Sequence, residues 1–119
     1  MLYVIYMEDG PRSAEIRSVT RDIHLAYLEE HRDILVLGGA LLAEDGKTRI
    51  GSMLVLNVPN RKAAETFSEN EPFRRAGLFT SVRITRMRRG QWNPASSAQD
   101  RRGQLTTTDT QFGVTINGK

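Results

Sequence analysis

The sequence predicts an α+β domain in which one antiparallel sheet of four strands carries its helices on a single face. Two observations carry that expectation. Short β-branched and aromatic runs alternate with helical patterns in the order strand, helix, strand, strand, helix, strand, with turn residues at the junctions. The chain has 119 residues, of which roughly 90 precede a polar C-terminal stretch, enough for one hydrophobic core and too few for two.

Leu2-Tyr3-Val4-Ile5-Tyr6-Met7 is β-prone and is closed by Glu8-Asp9-Gly10-Pro11, a first strand and its turn. Ser13 is placed to cap the helix that follows. Over residues 14 to 32, Ile16, Val19, Ile23, Ala26 and Tyr27 share a stripe at 3.6-residue spacing, while Arg17, Arg21, Glu29 and Arg32 lie away from it. That stripe predicts the buried face and puts His24 at its margin, roughly 80° from the centre.

Residues 34 to 42 are apolar but broken by Gly38 and Gly39, which favours a bent strand over a helix. The turn Glu44-Asp45-Gly46-Lys47 leads into residues 50 to 58, a third strand alternating around Met53, Val55 and Val58 and ending at Pro59. Asn60 can cap a second helix through Arg61 to Glu69, with Ala63, Ala64 and Phe67 on its apolar side. Pro72 opens a short turn that Gly77 closes, and residues 78 to 88 supply the last strand. The order is that of the ferredoxin-like fold, βαββαβ. Such a sheet leaves its second face in need of a cover, and a domain this small gains stability by assembly, so a homodimer is expected.

Residues 1–89 form the predicted domain and residues 90–119 a C-terminal extension, rich in Ser, Asn and Gln and then in Thr. Leu105 to Ile116 is β-prone, which predicts that the extension packs on the sheet or on a partner subunit.

Composition removes several classes of function. With no cysteine, the chain has no disulfide, thiolate metal site or cysteine nucleophile, and it suits a reducing compartment. No apolar run reaches the roughly 20 residues of a membrane span, and the first run is too short for a secretory signal. The expectation is a cytoplasmic protein with no membrane partner. The net charge of +3 is concentrated in Arg83-Ile84-Thr85-Arg86-Met87-Arg88-Arg89 and beyond. Alternation of arginine with apolar residues describes a strand with one solvated face, so nucleic acid is not the expected partner.

The chain has two histidines, His24 and His31, both on the first predicted helix. Seven residues apart, they stand about 10.5 Å from each other along the axis, too far to share one metal ion. No metal site is expected. At the edge of the apolar stripe His24 can border a cavity and still meet solvent, which suits an acid or base. The plainer use of a histidine there is a hydrogen bond to a backbone carbonyl. Glu71, just before Pro72, is placed either to cap the short turn through backbone amides or to face His24 and fix its tautomer. The hydroxyl of Ser52, after Gly51, can meet a ligand oxygen. Gly-x-Ser-x-Gly, phosphate-loop and dinucleotide motifs are absent.

Taken in order, Leu2-Tyr3-Val4-Ile5-Tyr6, Arg21-Asp22-Ile23-His24-Leu25-Ala26-Tyr27-Leu28, Gly38-Gly39-Ala40-Leu41-Leu42, Asp45-Gly46, Gly51-Ser52 and Glu71-Pro72-Phe73-Arg74-Arg75-Ala76-Gly77-Leu78-Phe79 resemble the YciI-like (YCII-related) proteins. The resemblance runs from Met1 to about Arg88. It implies a ferredoxin-like homodimer of the dimeric α+β barrel type, whose facing sheets enclose or flank ligand pockets. It also implies an active site built on a histidine and an aspartate. One relative removes chloride from a chlorinated hydroxyhydroquinone, and related barrels include muconolactone isomerase. His24 matches the family histidine, and Gly51-Ser52 matches the Gly-Ser that opens the third strand. Glu71 stands where the family usually has Asp, so the carboxylate is kept but displaced by one methylene. The implied function is a cofactor-free lyase or isomerase acting on a small oxygenated cyclic metabolite. His24 would be its acid or base, Glu71 would orient the ring, and Ser52 would bind a substrate oxygen. The alternative is a non-catalytic dimer that binds or senses a small molecule.

Overall fold

A computed structural model describes residues 1–97 of the chain. The strand expected at Leu105 to Ile116, and its packing, lie outside the described residues. The chain divides into two units, Met1–Arg88 and Arg89–Lys119. In the described part of the second, the Arg89 guanidinium lies 5.9 Å from the Trp92 ring centroid, and Pro94–Ser97 form one 3-10 turn.

The first unit runs β1 (Leu2–Asp9), α1 (Ser13–Glu30), β2 (Leu35–Leu42), β3 (Arg49–Asn57), α2 (Arg61–Asn70), α3 (Pro72–Arg75) and β4 (Phe79–Met87). The strands form one sheet in the order β2-β3-β1-β4, antiparallel throughout. This is the ferredoxin-like arrangement expected from the element order. Among the described residues no helix is long and apolar enough to cross a membrane.

Alternation along β1 decides the two faces. Tyr3, Ile5 and Met7 are buried and lie opposite Leu56, Leu54 and Ser52 of β3. Leu28 of α1, Ala64 and Phe67 of α2, and Phe73 of α3 close the core with them. Burying a side chain of the size of Ile5 or Leu56 contributes roughly 1.5–3 kcal/mol. Of the positions expected to alternate along β3, Val55 and Val58 are buried, and both faces of the strand carry apolar side chains. Met53 and Val55 pair with Tyr6 and Val4 on the other face, while Leu54 and Leu56 enter the core. A Cβ on Gly51 would collide with the Met7 carbonyl, so glycine is what lets β3 approach β1 there.

Helix α1 departs from its predicted orientation. Val19 is 80 % exposed and Ile23 64 % exposed, and Ala26 also faces solvent. The covered side is instead Arg17, Thr20, His24 and Leu28, turned by roughly one residue step, or 100°, from the apolar stripe. His24 thus sits near the middle of the packed face and not at its margin. The wheel treated Arg17 and His24 as solvated groups. Each has a carboxylate partner inside, which removes most of the penalty of burying it. Ser13 is the first helical residue and makes no cap. Arg12 holds the cap position without a side-chain bond to the helix amides, its guanidinium pairing instead with Glu15.

Other local signals operate as expected. Asn60 Oδ1 accepts the Ala63 amide at 2.8 Å and starts α2. In the β2–β3 turn, Gly46 takes a φ of 73°. Asp45 accepts the Lys47 and Thr48 amides through Oδ1 at 2.8 and 2.9 Å, and the Thr48 hydroxyl through Oδ2 at 2.6 Å. The Thr48 hydroxyl, then the Thr48 and Lys47 amides, lower the Asp45 carboxyl to about 2. A lowered carboxyl stabilises the fold above its unfolded value of 3.8 and loses that contribution as pH falls through about 2. Carbon-detected NMR titration is expected to give Asp45 a midpoint near 2 and to move it upward in Thr48→Ala. An Asp45 midpoint near 4 in the unaltered protein would contradict the turn geometry.

Candidate functional site

The centre of the site is the junction of α2 and α3. Glu71 ends α2 with extended backbone, φ −69° and ψ 129°, and Pro72 opens α3 at its first position. The Glu71 carboxylate is buried and caps α3, with Oε2 accepting the Phe73 amide at 3.0 Å and Oε1 the Arg74 amide at 3.4 Å. The same Oε2 accepts Nδ1–H of His24 at 2.6 Å. The two uses open to Glu71 in the sequence are therefore simultaneous. Gly77, at φ 81°, closes the turn, and Arg74 Nη1 donates to Ser68 Oγ at 2.7 Å, tying α3 back to α2.

Glu71 Oε2 points at two donors, so His24 carries its proton on Nδ1 when neutral and presents the lone pair of Nε2. Nε2 makes no hydrogen bond among the described residues, and the His24 side chain is 17 % exposed. The ring is further fixed by Phe73, stacked on it at 3.8 Å between centroids and 12° between planes. A buried carboxylate, an oriented imidazole and an open ring nitrogen are the parts of an acid–base catalyst.

His31 does something else. Its Nδ1 donates to the Tyr27 carbonyl at 2.8 Å, and its ring packs on Tyr27 and Phe67. Tyr27 donates its hydroxyl to the Phe67 carbonyl at 2.9 Å, tying α1 to α2. Burial, followed by the nearby Glu71 and Glu30 carboxylates, raises the Tyr27 hydroxyl above the ordinary phenol value.

A second cluster borders the first. Arg17 Nη2 donates to Asp9 Oδ1 at 2.9 Å and to Ser52 Oγ at 3.3 Å, and the guanidinium carbon lies 5.2 Å from the Phe73 centroid. Ser52 thus meets Arg17 and makes no hydrogen bond to His24 or Glu71 among the described residues. Asp9 and Arg17 were not singled out from sequence, although the signal was present. Asp9 continues the inward parity of Tyr3, Ile5 and Met7, and Arg17 precedes His24 by seven residues on the same helix face.

The YCII-related domain family model matches residues 1–88. The chain belongs to the YCII-related family. Its YCII-related relatives include Protein YciI of Escherichia coli O6:H1, 31 % identical over 91 residues that cover 71 % of this chain and 93 % of that protein. An uncharacterized protein of Haemophilus influenzae is 28 % identical, covering 69 % of this chain and 91 % of its own. Among solved structures, 5-chloro-2-hydroxyhydroquinone dehydrochlorinase (TftG) from Burkholderia phenoliruptrix AC1100, in complex with 2,5-dihydroxybenzoquinone, superposes with a TM-score of 0.68 at 35 % identity. The match covers 76 % of this chain and 96 % of TftG. The YCII-related fold of this chain is thus one on which a small-molecule lyase is built.

Proposed function

We propose that this protein is a cofactor-free lyase, or an isomerase of the same chemistry, acting on a small oxygenated ring. The observation that carries the reading is the 2.6 Å bond from His24 Nδ1 to buried Glu71, which leaves Nε2 as an oriented base. In such a reaction Nε2 takes a proton from the substrate, and the electron pair released expels a leaving group with its bonding electrons. For a chlorinated hydroxyl ring the balance is loss of H⁺ and Cl⁻. The imidazolium formed is stabilised through Nδ1–H by the Glu71 carboxylate. Returning the proton to a different atom, with no leaving group, gives the isomerase.

Similarity to TftG supports a halogenated hydroquinone as the first substrate to try. The test is incubation with 5-chloro-2-hydroxyhydroquinone, following chloride release and ring products by chromatography. Enzymatic chloride release supports the lyase. Binding of the compound followed by its unchanged recovery would replace the lyase by a binding or sensing role for the same pocket.

We also propose that the uncovered sheet face pairs with a second copy. It carries Leu37, 56 % exposed, Tyr6, 41 %, and Met87, 38 %, and a depression of about 450 Å³ lined in part by Val4, Tyr6, Glu8, Arg83 and Thr85. Sedimentation velocity at micromolar concentration is expected to give a dimer, and a monomer at every concentration would remove this part of the proposal.

A further inference from the structure

Tyr27 carries a hydroxyl that its ring packing does not require. The ring lies 4.2 Å from His31 and 5.1 Å from Phe67 between centroids, contacts that a phenylalanine would make equally well. What the hydroxyl adds is one bond, to the main-chain carbonyl of Phe67 at 2.9 Å. In a helix continued past Asn70 that carbonyl would accept the Glu71 amide, four residues on. Pro72 disfavours helical backbone at the residue before it, so Glu71 is extended and its amide turns to the Ser68 carbonyl at 3.3 Å. The break that points the Glu71 carboxylate at His24 therefore also releases the Phe67 carbonyl, and Tyr27 takes it.

The two bonds are neighbours on both elements. Tyr27 follows His24 by three residues on one side of α1, about 4.5 Å along the axis, and Phe67 precedes Glu71 by about one turn of α2. Among the described residues, two hydrogen bonds join α1 to α2 and α3, His24 to Glu71 at 2.6 Å and Tyr27 to Phe67 at 2.9 Å. A single contact between two helices leaves them free to pivot about it, and a second contact one turn away removes that freedom. Burial, and then the Glu71 carboxylate, raise the Tyr27 hydroxyl above its ordinary value of 10.0, so it stays a donor throughout the range in which an imidazole titrates.

We propose that Tyr27 is a positioning residue: by holding the end of α2, its hydroxyl fixes the Glu71 carboxylate where it engages His24 Nδ1 and keeps Nε2 as the open ring nitrogen. The inference rests on reading His24 and Glu71 as the reactive pair. Tyr27 acts through Glu71 and is neither the acid nor the base. Without its hydroxyl the end of α2 is released from α1, and a displacement of about 1 Å at Glu71 is enough to cost about 10²-fold in rate. A hydroxyl kept only to satisfy the Phe67 carbonyl would affect stability and leave the imidazole as it is.

The test is Tyr27→Phe in the full chain, read first by proton–nitrogen NMR of the histidine rings. The chain has two histidines, so His31→Ala, made with and without Tyr27→Phe, leaves His24 as the one imidazole in the spectrum. With Tyr27 in place, His24 is expected to be protonated on Nδ1, with a downfield, slowly exchanging Nδ1–H. Tyr27→Phe should speed exchange of that proton roughly tenfold, the equivalent of about one hydrogen bond, and populate the Nε2–H tautomer. An unchanged tautomer and exchange rate in folded Tyr27→Phe would overturn the inference. His31→Ala alone strips a ring from Tyr27 and keeps the hydroxyl, so it should leave the His24 signals as they are. The same spectral change in that variant would assign the effect to aromatic packing and overturn the inference too. Turnover of 5-chloro-2-hydroxyhydroquinone is the second readout. Tyr27→Phe should lower kcat by about tenfold to a hundredfold with KM unchanged, and a kcat held within about twofold would count against positioning. If the unaltered protein releases no chloride, the lyase reading fails by itself, while the spectra still decide the part played by Tyr27.

Discussion

His24→Ala should lower turnover of 5-chloro-2-hydroxyhydroquinone by about 10²- to 10⁴-fold, the usual contribution of a positioned acid or base. The loss should fall on kcat with little change in KM, because Nε2 acts on the proton in flight and contributes little to holding the ground state. The fold should survive. Glu71 keeps the Phe73 and Arg74 amides when the imidazole is removed, so no buried carboxylate is stranded. What disappears is the stack on Phe73 and one hydrogen bond, together about 1–2 kcal/mol, or roughly 4–16 °C in melting temperature for a domain of this size. His24→Asn sharpens the result, since its amide fills part of the space but has no lone pair basic enough to take the proton. Turnover retained in either folded variant would sink His24 as the base. His31→Ala is the control. Its ring nitrogen is engaged with the Tyr27 carbonyl, and its loss should leave kcat unchanged.

The contrast between the two histidines bears on how far a sequence can be read. The order of elements along the chain, the hairpin, the Asn60 cap and the Glu71-Pro72 turn were all legible, because each depends on residues within a few positions of one another. The inward face of α1 was not. Its periodicity was scored by apolar character, and that rule fails when the buried positions are polar residues paired across the fold. Arg17 is inside because Asp9 is there to meet it, and His24 is inside because Glu71 is, 47 residues away. Val19 and Ile23 were displaced to the surface by the same two contacts. The apolar moment of a helix measures solvent preference one residue at a time, whereas the burial of an ion pair is a property of two. The error and the site therefore have one cause. His24, one of the residues that turned α1 away from its stripe, is the one proposed to react with the ligand, as expected where function departs from local pattern.

Glu71 carries two loads, and substitutions can separate them. Glu71→Ala removes the cap of α3 and leaves the buried Phe73 amide unpartnered, at about 2–4 kcal/mol, with a melting temperature roughly 10–25 °C lower. Its turnover should fall as far as that of His24→Ala, because the imidazole then has neither a fixed tautomer nor a counter-charge. Glu71→Gln keeps an oxygen for both the Phe73 amide and His24 Nδ1–H, so stability and ring geometry should persist. The rate should drop only about tenfold, the difference between a charged and a neutral acceptor. Glu71→Asp is the decisive variant. Asp is a good capping residue and should hold α3 with little change in melting temperature, yet its carboxylate is one methylene short of His24 across a bond that is now 2.6 Å. A displacement of about 1 Å at that contact is enough to cost about 10²-fold in rate. If the Asp variant melts normally and turns over slowly, capping and orientation are distinct functions of one side chain, and the extra methylene of Glu71 is matched to the local spacing of α1 and α3. If it turns over as fast as the unaltered protein, α3 moves freely enough to follow its carboxylate, and the rigidity assigned to this junction is wrong.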